Sequence, residues 1–274
     1  MSFKIKFWGV RGSIACPTPN HMSYGGNTSC VEMSLGGQHV IFDAGSGIRL
    51  AGHWIKRQNV THATLLFSHT HWDHINGLPF FSPAYHPQRS FLIMAGHSEH
   101  TGGIRRVVSG QMTTPHFPVP VEAMKAAITY EDFAVGDKFT IGRGIKVRTV
   151  PLNHPNGATG YRIDFRGRSA CYITDTEHVP GKPDQNILGL IEGADLVIYD
   201  STYTDAEFSA KVGWGHSTWE EGIRLCRAAG AKSLAIFHHD PDHEDNFMAE
   251  VEATARVTWS GAMVARDGLR INLD

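Results

Sequence analysis

Polar and apolar positions alternate from the first residues of the chain. Phe3, Ile5 and Phe7 are apolar and the intervening Lys4 and Lys6 are charged, the period-two pattern of a half-exposed strand. After the glycine-rich loop "SYGGNTSC", a run through Val31 and Met33 predicts a second strand. "HVIFDAGSG" predicts a third, stopping at a glycine turn. "TLLF" is apolar throughout, as in a short strand covered on both faces. Alternation returns from Ile145 to Val150, and "GYRIDF", "RGRS" and "ACYIT" together predict a hairpin. "DLVIY" and "SLAIF" add two more buried strands.

Helices separate some of these strands. One is predicted from about Thr218 to Ala229, with Ser217 as N-cap, Glu220 completing a capping box and Gly230 at the stop. "EDNFMAEVEATARV" predicts another. The stretch at about 96–134 carries prolines and glycines with little periodicity and reads as a surface insertion or lid. There is no repeat, low-complexity tract or linker. Strands come first and then alternate with helices, so a layered α/β or α+β fold is expected, with one domain over residues 1–274.

Composition narrows the class. With 41% hydrophobic and 19% charged residues the chain has enough apolar side chains to fold around a core. No apolar run reaches the length needed to span a bilayer. The opening "MSFKIKFWGVRG" puts lysines where an export signal needs a greasy core, so a cytoplasmic protein without membrane contact is expected. Cys16, Cys30, Cys171 and Cys226 form no CxxC pair and are read as reduced thiols, Cys30 as a small core residue rather than a nucleophile. A net charge of −2 argues against a strong electrostatic grip on long nucleic acid. The unusual count is 17 histidines against 14 phenylalanines, an excess that asks for a role.

That role points to "SHTHWDHING", directly after the apolar run "ATLLF". Residues two apart in an extended chain point the same way, so His69 and His71 can present both imidazoles to one point. Asp73 and His74 follow where the chain can turn into a helix and aim them at a neighbouring point. Imidazole and carboxylate together suit zinc, and also manganese or iron. Two adjacent ligand sets suggest two divalent metals.

"SHTHWDH" resembles the signature of the metallo-β-lactamase superfamily, and further segments extend the likeness: "TVPLNHPNG", "CYITDTEH" and "LAIFHHDPDH". The resemblance implies a four-layer αββα sandwich of two mixed β-sheets. It further implies His69, His71 and His154 on one metal, Asp73, His74 and His238 on the other, and Asp175 bridging both. Two metals would lower the pKa of a shared water, the nucleophile, and clamp the oxygens of an in-line phosphoryl displacement. Strand alternation lets only one of His238 and His239 face the metals, and the family pattern favours His238. His243 is read as surface or supporting; His21, His97, His100 and His116 have no motif around them.

"ADLVIYDSTY" and "GHSTWEEGIRLCRAAGAKSLAIFHHD" are similar to the C-terminal half of the ribonuclease Z and cyclic-phosphodiesterase branch. There an acidic residue supports a histidine in an "HST" motif; the matching residues are Asp200 and His216. A carboxylate-braced imidazolium can protonate a departing alkoxide, so Asp200, His216 and Asp73 are the expected catalytic residues. His74 and Asp175 depart from the common zinc β-lactamases, and the helical region of glyoxalase II has no counterpart after His238. Ribonuclease Z grips transfer RNA with an arm between the positions of His154 and Asp175, where this chain has a tight hairpin. Transfer RNA is therefore expected to be an unlikely partner, and a small phosphodiester, such as a cyclic nucleotide or cyclic ribose phosphate, the substrate.

"FWGVRGSIACPTPNHMSYGGNTSC" resembles the opening of bacterial members of this branch. Arg11, Asn27, Thr28 and Ser29 could contact phosphate oxygens, or could equally belong to a structural turn. Asp43 in "FDAGSG" is expected to brace the metal loop rather than ligate. The rival readings are hydrolysis of a thioester, lactone or other acyl bond on the same metals, and a metal-stabilised binding module without turnover. A relative of the di-iron flavoproteins would need a flavin domain, for which the chain has no room. Relatives often dimerise, so a homodimer is a further expectation.

Overall fold

The computed structural model describes residues 2–97 and 102–274. His100 lies outside these described residues. Six strands build the first sheet in chain order: β1 (Phe3–Gly9), β2 (Cys30–Leu35), β3 (Gln38–Phe42), β4 (His62–Phe67), β5 (Ser90–Ala95) and β6 (Ala127–Asp132). The next seven build the second: β7 (Lys138–Ile141), β8 (Ile145–Leu152), β9 (Ala158–Phe165), β10 (Arg168–Ile173), β11 (Leu196–Asp200), β12 (Leu234–Phe237) and β13 (Ala262–Val264). β14 (Arg270–Asn272) returns to the first, giving orders β14-β1-β2-β3-β4-β5-β6 and β13-β12-β11-β10-β9-β8-β7.

Side-chain alternation explains why these strands make layers. In β1, Phe3, Ile5 and Phe7 enter a central core, where they meet Tyr172, Ile198 and Phe237 of the other sheet. The buried strands of the second sheet split by parity. Ala170, Tyr172, Leu196, Ile198, Ala235 and Phe237 face the central core, while Cys171, Ile173, Val197, Tyr199, Leu234 and Ile236 face outward. Outward-facing apolar residues must also be covered, and the amphipathic helices α6 (Trp219–Ala228) and α7 (Asp245–Thr258) cover them, together with α4 (Gln185–Ile191). On the first sheet, α1 (Ile48–Arg57) and α3 (Ile104–Gly110) do the same. The shorter α2 (Trp72–Ile75) and α5 (Asp205–Phe208) complete the α-helices of the described residues. The result is the four-layer αββα sandwich. No helix among the described residues is long and apolar enough to cross a membrane.

Several details depart from the pattern-based reading. Thr218, not Ser217, caps α6: its side chain accepts from the Glu221 backbone N–H. The Ser217 hydroxyl is instead buried against His178 and Tyr199. The 96–134 stretch contributes α3, and its end, β6, extends the first sheet by pairing parallel with β5. β6 is an edge strand that is nowhere fully buried; only Ile128 and Tyr130 turn to the core, too short an alternation to stand out in the chain.

In the first sheet β3, β4, β5 and β6 run parallel; in the second β10, β11, β12 and β13 do. The carboxyl ends of parallel strands are where open sheets place their functional loops. Here those ends from both sheets meet.

Candidate metal centre

The first sheet supplies one wall. Just past β3, the carboxylate of Asp43 accepts four hydrogen bonds: from the Ser68 N–H (2.7 Å), the Ser68 hydroxyl (2.7 Å), the Tyr172 hydroxyl (2.8 Å) and His74 Nδ1 (2.8 Å). This fixes the loop after β4. Ser68 Oγ, its own proton spent on Asp43, accepts from His69 Nδ1 at 3.1 Å. His71 stands at the N-cap of α2, and Asp73 and His74 lie within that helix. Asp43→Asn would turn amide hydrogens toward these donors and is expected to cost about 3 kcal/mol of stability. Denaturant unfolding measures this; an unshifted midpoint would refute the bracing role.

The second sheet supplies the other wall. His154 follows β8, Asp175 follows β10, Asp200 ends β11 and His238 follows β12. Asp175 Oδ2 lies 3.4 Å from His69 Nε2 and 3.7 Å from His154 Nε2, while its Oδ1 lies 3.1 Å from His74 Nε2 and 3.2 Å from His238 Nε2. Asp73 Oδ2 lies 3.2 Å from His74 Nε2 and 3.3 Å from His238 Nε2, and His71 Nδ1 is 3.0 Å from His154 Nε2. Three donor groups result: two larger ones, His69–His71–His154–Asp175 and Asp73–His74–Asp175–His238, which share Asp175, and a smaller one, Asp200–His216–His238, which shares His238 with the second. Asp43, Asp175 and His238 all adopt positive φ (57°, 54° and 64°). Non-glycine residues held there cost about 1–3 kcal/mol each and tend to cluster at functional sites.

Proton accounting tests whether cations fit. His69 Nδ1 donates to Ser68, His74 Nδ1 to Asp43 and His154 Nδ1 to the Gly215 carbonyl (2.8 Å). Thr202 spends its one proton on Asp200 Oδ1 or the His238 carbonyl, so His238 Nδ1 is the donor of their 3.0 Å contact. Every outer nitrogen thus holds the ring hydrogen, and four inner Nε2 lone pairs face each other and two carboxylates. Among the described residues, His69 Nε2 is buried without a hydrogen-bond partner. Such an electron-rich cage is unfavourable unless cations occupy it, and imidazole with carboxylate is a donor set for divalent metals.

The ionisation states agree. Burial, and after it neighbouring His74, holds His69 well below the usual imidazole range; burial also lowers His71 and His154. Burial opposes ionisation of Asp73 and Asp175, but His74 beside the first and His238 beside the second hold both well below the carboxylate range. For His74, burial is outweighed by Asp175, Asp73 and Asp43, which raise it well above its ordinary value. The proton this favours would sit on the inner Nε2, the position a cation takes when bound, so a positive charge is favoured where the second donor group converges.

His216 sits beside this cage. Its Nδ1 is 3.0 Å from Asp200 Oδ2 and 3.9 Å from Asp175 Oδ2, and its ring stacks on His238 with centroids 4.9 Å apart. Burial lowers its pKa, Asp200 raises it more, and the balance is pushed up to about 9. Thr202, in the "DST" turn, links Asp200 to His238; its role was legible only as part of that motif.

The expected phosphate contacts are corrected. Arg11 is fully buried, its guanidinium bonded to the carbonyls of Gly25, Asp240 and His243. Asn27 bonds Asp267 and Ser46, Thr28 bonds Ser46, and Ser29 is buried. The bonds of Arg11, Asn27 and Thr28 stitch the N-terminal loop to the rest of the fold, while the Ser29 hydroxyl is buried with no partner among the described residues. His239 points to the Ala265 carbonyl (2.8 Å), while His238 faces the cage. His21 bonds Thr18 and Pro241, and His243 bonds Glu207. His97 bonds Thr70 of the ligand loop (3.3 Å), a proximity no motif announces. Gly12 was also missed: a Cβ there would lie 2.5 Å from the His238 ring. Gly12→Ala is expected to displace that ring and weaken metal retention by roughly 10-fold or more. Elemental analysis after dialysis against a chelator checks this.

A family model described as the beta-lactamase superfamily domain matches residues 38–239. The ribonuclease Z of Haloarcula marismortui is 23% identical, over 98% of this chain and 96% of that protein. A crystal structure of a diphosphatase from the PhnP family matches with TM-score 0.72 and 19% identity, covering 99% of this chain and 98% of that one. Human tRNase Z, short form, matches with TM-score 0.71 and 19% identity, covering 99% of each chain. One expectation is overturned. Transfer RNA was set aside because of the tight hairpin between His154 and Asp175 and the mildly negative charge. Neither feature keeps the chain from matching ribonuclease Z along nearly its whole length, so that exclusion does not stand.

Proposed function

The chain belongs to the metallo-β-lactamase superfamily and is a metal-dependent hydrolase, and from that footing we propose that it cleaves phosphodiesters. The observation that supports this most is the Asp200–His216 pair set against Asp175, the carboxylate shared by both donor groups. His69, His71 and His154 would hold one divalent cation, Asp73, His74 and His238 a second, with Asp175 common to both and zinc the first choice. Such cations, when bound, supply a water of lowered pKa and positive charge for the oxygens around phosphorus.

The chain's own residues supply the remainder. Asp43 and Ser68 hold the His69 and His74 rings so that their Nε2 lone pairs point inward. The Ser13 N–H, 2.8 Å from Asp73 Oδ2, orients that carboxylate. Asp200 accepts a hydrogen bond from His216 Nδ1–H, which leaves Nε2–H of the imidazolium as the acid for the departing alkoxide. Thioester hydrolysis, whose thiolate departs without a proton, has less need of such an acid, whereas a lactone expels an alkoxide and is separated by direct assay. The substrate proposed is a small phosphodiester such as a cyclic nucleotide or cyclic ribose phosphate. RNA, including transfer RNA, is the second reading, favoured by the relatives named ribonuclease Z. Residues 104–126 are proposed to border the substrate as part of a single domain.

Assay of bis-p-nitrophenyl phosphate against thioester and lactone substrates tests the reading. Phosphodiester turnover that depends on added divalent metal is expected. Activity confined to acyl substrates and untouched by His216→Ala would overturn it.

A further inference from the structure

Thr70 and Trp72 flank His71 in the ligand loop, and both line a cavity of about 480 Å³. The cavity therefore begins one residue from His71 and one from Asp73. Phe80 and Phe117 form part of its wall, edge to face with centroids 5.8 Å apart. Trp72 is 76% exposed and Phe80 56%, an uneconomical display of aromatic surface beside a polar centre. Asn76 and Gln111 also line the cavity. Asn76 Oδ1 and Gln111 Nε2 are buried and have no hydrogen-bond partner among the described residues. One is an acceptor and the other a donor, both shut off from water in this arrangement, so a turn of each amide would bring a polar atom to a ligand in the cavity.

We propose that this cavity is a nucleobase pocket, so that the phosphodiester cleaved beside it carries a nucleoside; this rests on the phosphodiesterase reading. A heterocyclic base has flat π faces for the aromatic walls and a donor–acceptor edge for the two amides. An acyl chain would leave both amides unpaired, and a bare ribose phosphate would leave the aromatic walls without a partner. The cavity volume lies within the range of small-molecule sites. The base belongs to a free nucleotide or to a terminal nucleotide of RNA; both present the same chemistry to these residues.

Calorimetric titration of the metal-loaded protein with the four common nucleoside monophosphates and with ribose 5-phosphate tests the pocket without turnover. At least one nucleotide is expected to bind about 10-fold or more tighter than ribose 5-phosphate, in line with the strength of base–aromatic stacking. Trp72→Ala and, separately, Gln111→Leu are expected to shrink that ratio, with metal content measured for each variant. Equal binding with and without a base, or a preference that survives both substitutions, would overturn the pocket. In the turnover arm, nucleoside 2′,3′-cyclic phosphates are compared with the cyclic phosphate of glycerol and with short oligoribonucleotides, which separates the free nucleotide from the RNA end. Base-dependent binding without cleavage of any diester would sink the phosphodiesterase reading and keep the pocket. Cleavage indifferent to the base would do the reverse.

Discussion

Asp175→Asn protein is expected to retain well under half of the wild-type metal and to lose phosphodiesterase activity by about 10³-fold or more. The reason is that Asp175 is the one residue common to both donor groups, with Oδ2 turned to His69 and His154 and Oδ1 to His74 and His238. Losing its charge weakens both groups at once, whereas loss of an outer-shell partner typically costs 10–100-fold. Asparagine is the informative substitution. Asp175 holds φ at 54°, a region that asparagine tolerates and alanine does not, so backbone strain is kept out of the comparison. Metal content by elemental analysis, with circular dichroism to show the fold intact, reads the outcome. A folded variant with full metal and undiminished rate would refute a shared carboxylate.

His216→Ala should separate substrates by leaving group. With an alkoxide leaving group, which needs a proton, kcat is expected to fall about 10²–10⁴-fold, the usual contribution of a general acid. With p-nitrophenolate, stable as an anion, the loss should be under about 10-fold. Asp200→Asn should follow the same order more weakly, because it acts through His216. The pH profile carries the same signature. His216, with its pKa pushed up to about 9, holds its proton below that pH and loses it above. The alkoxide reaction should therefore decline on the alkaline side, and with metal bound that decline falls below pH 9. Cations at the neighbouring donor group repel the imidazolium and move that limb to lower pH. In His216→Ala the limb should vanish. A uniform loss for both leaving groups, with the limb retained, would assign His216 a structural role.

How much of this was legible along the chain depends on the distance over which each feature is decided. His69, His71, Asp73 and His74 share one strand–loop–helix segment, so local periodicity alone brings their side chains near one another. The strand ends carrying His154, Asp175 and His238 were legible as well, but their convergence came from a resemblance and not from spacing. It depends on two sheets meeting at the carboxyl ends of their parallel strands. α1 and β5 escaped notice. "IRLAGHWIKR" follows the glycine turn and buries Ile48, Ala51, Gly52 and Ile55 at helical spacing, a local signal that was present but unread. "SFLIMA" is a short apolar run that only packing against the first sheet separates from a helix.

The residues of the N-terminal loop show the other limit. Arg11, Asn27 and Thr28 read as donors that could meet a phosphate or serve a structural turn, and the chain alone did not decide between the two. Arg11 spends its guanidinium on Asp240 and His243, more than 220 positions away. Asn27 spends its amide on Asp267, 240 positions away. Side-chain type and two-residue or 3.6-residue periodicity are properties of short segments, and they prescribed the strands, the main helices and the local ligand run. Whether a polar group is free for chemistry or consumed by the fold is a question of hydrogen-bond satisfaction, and that is answered only when distant segments are packed side by side.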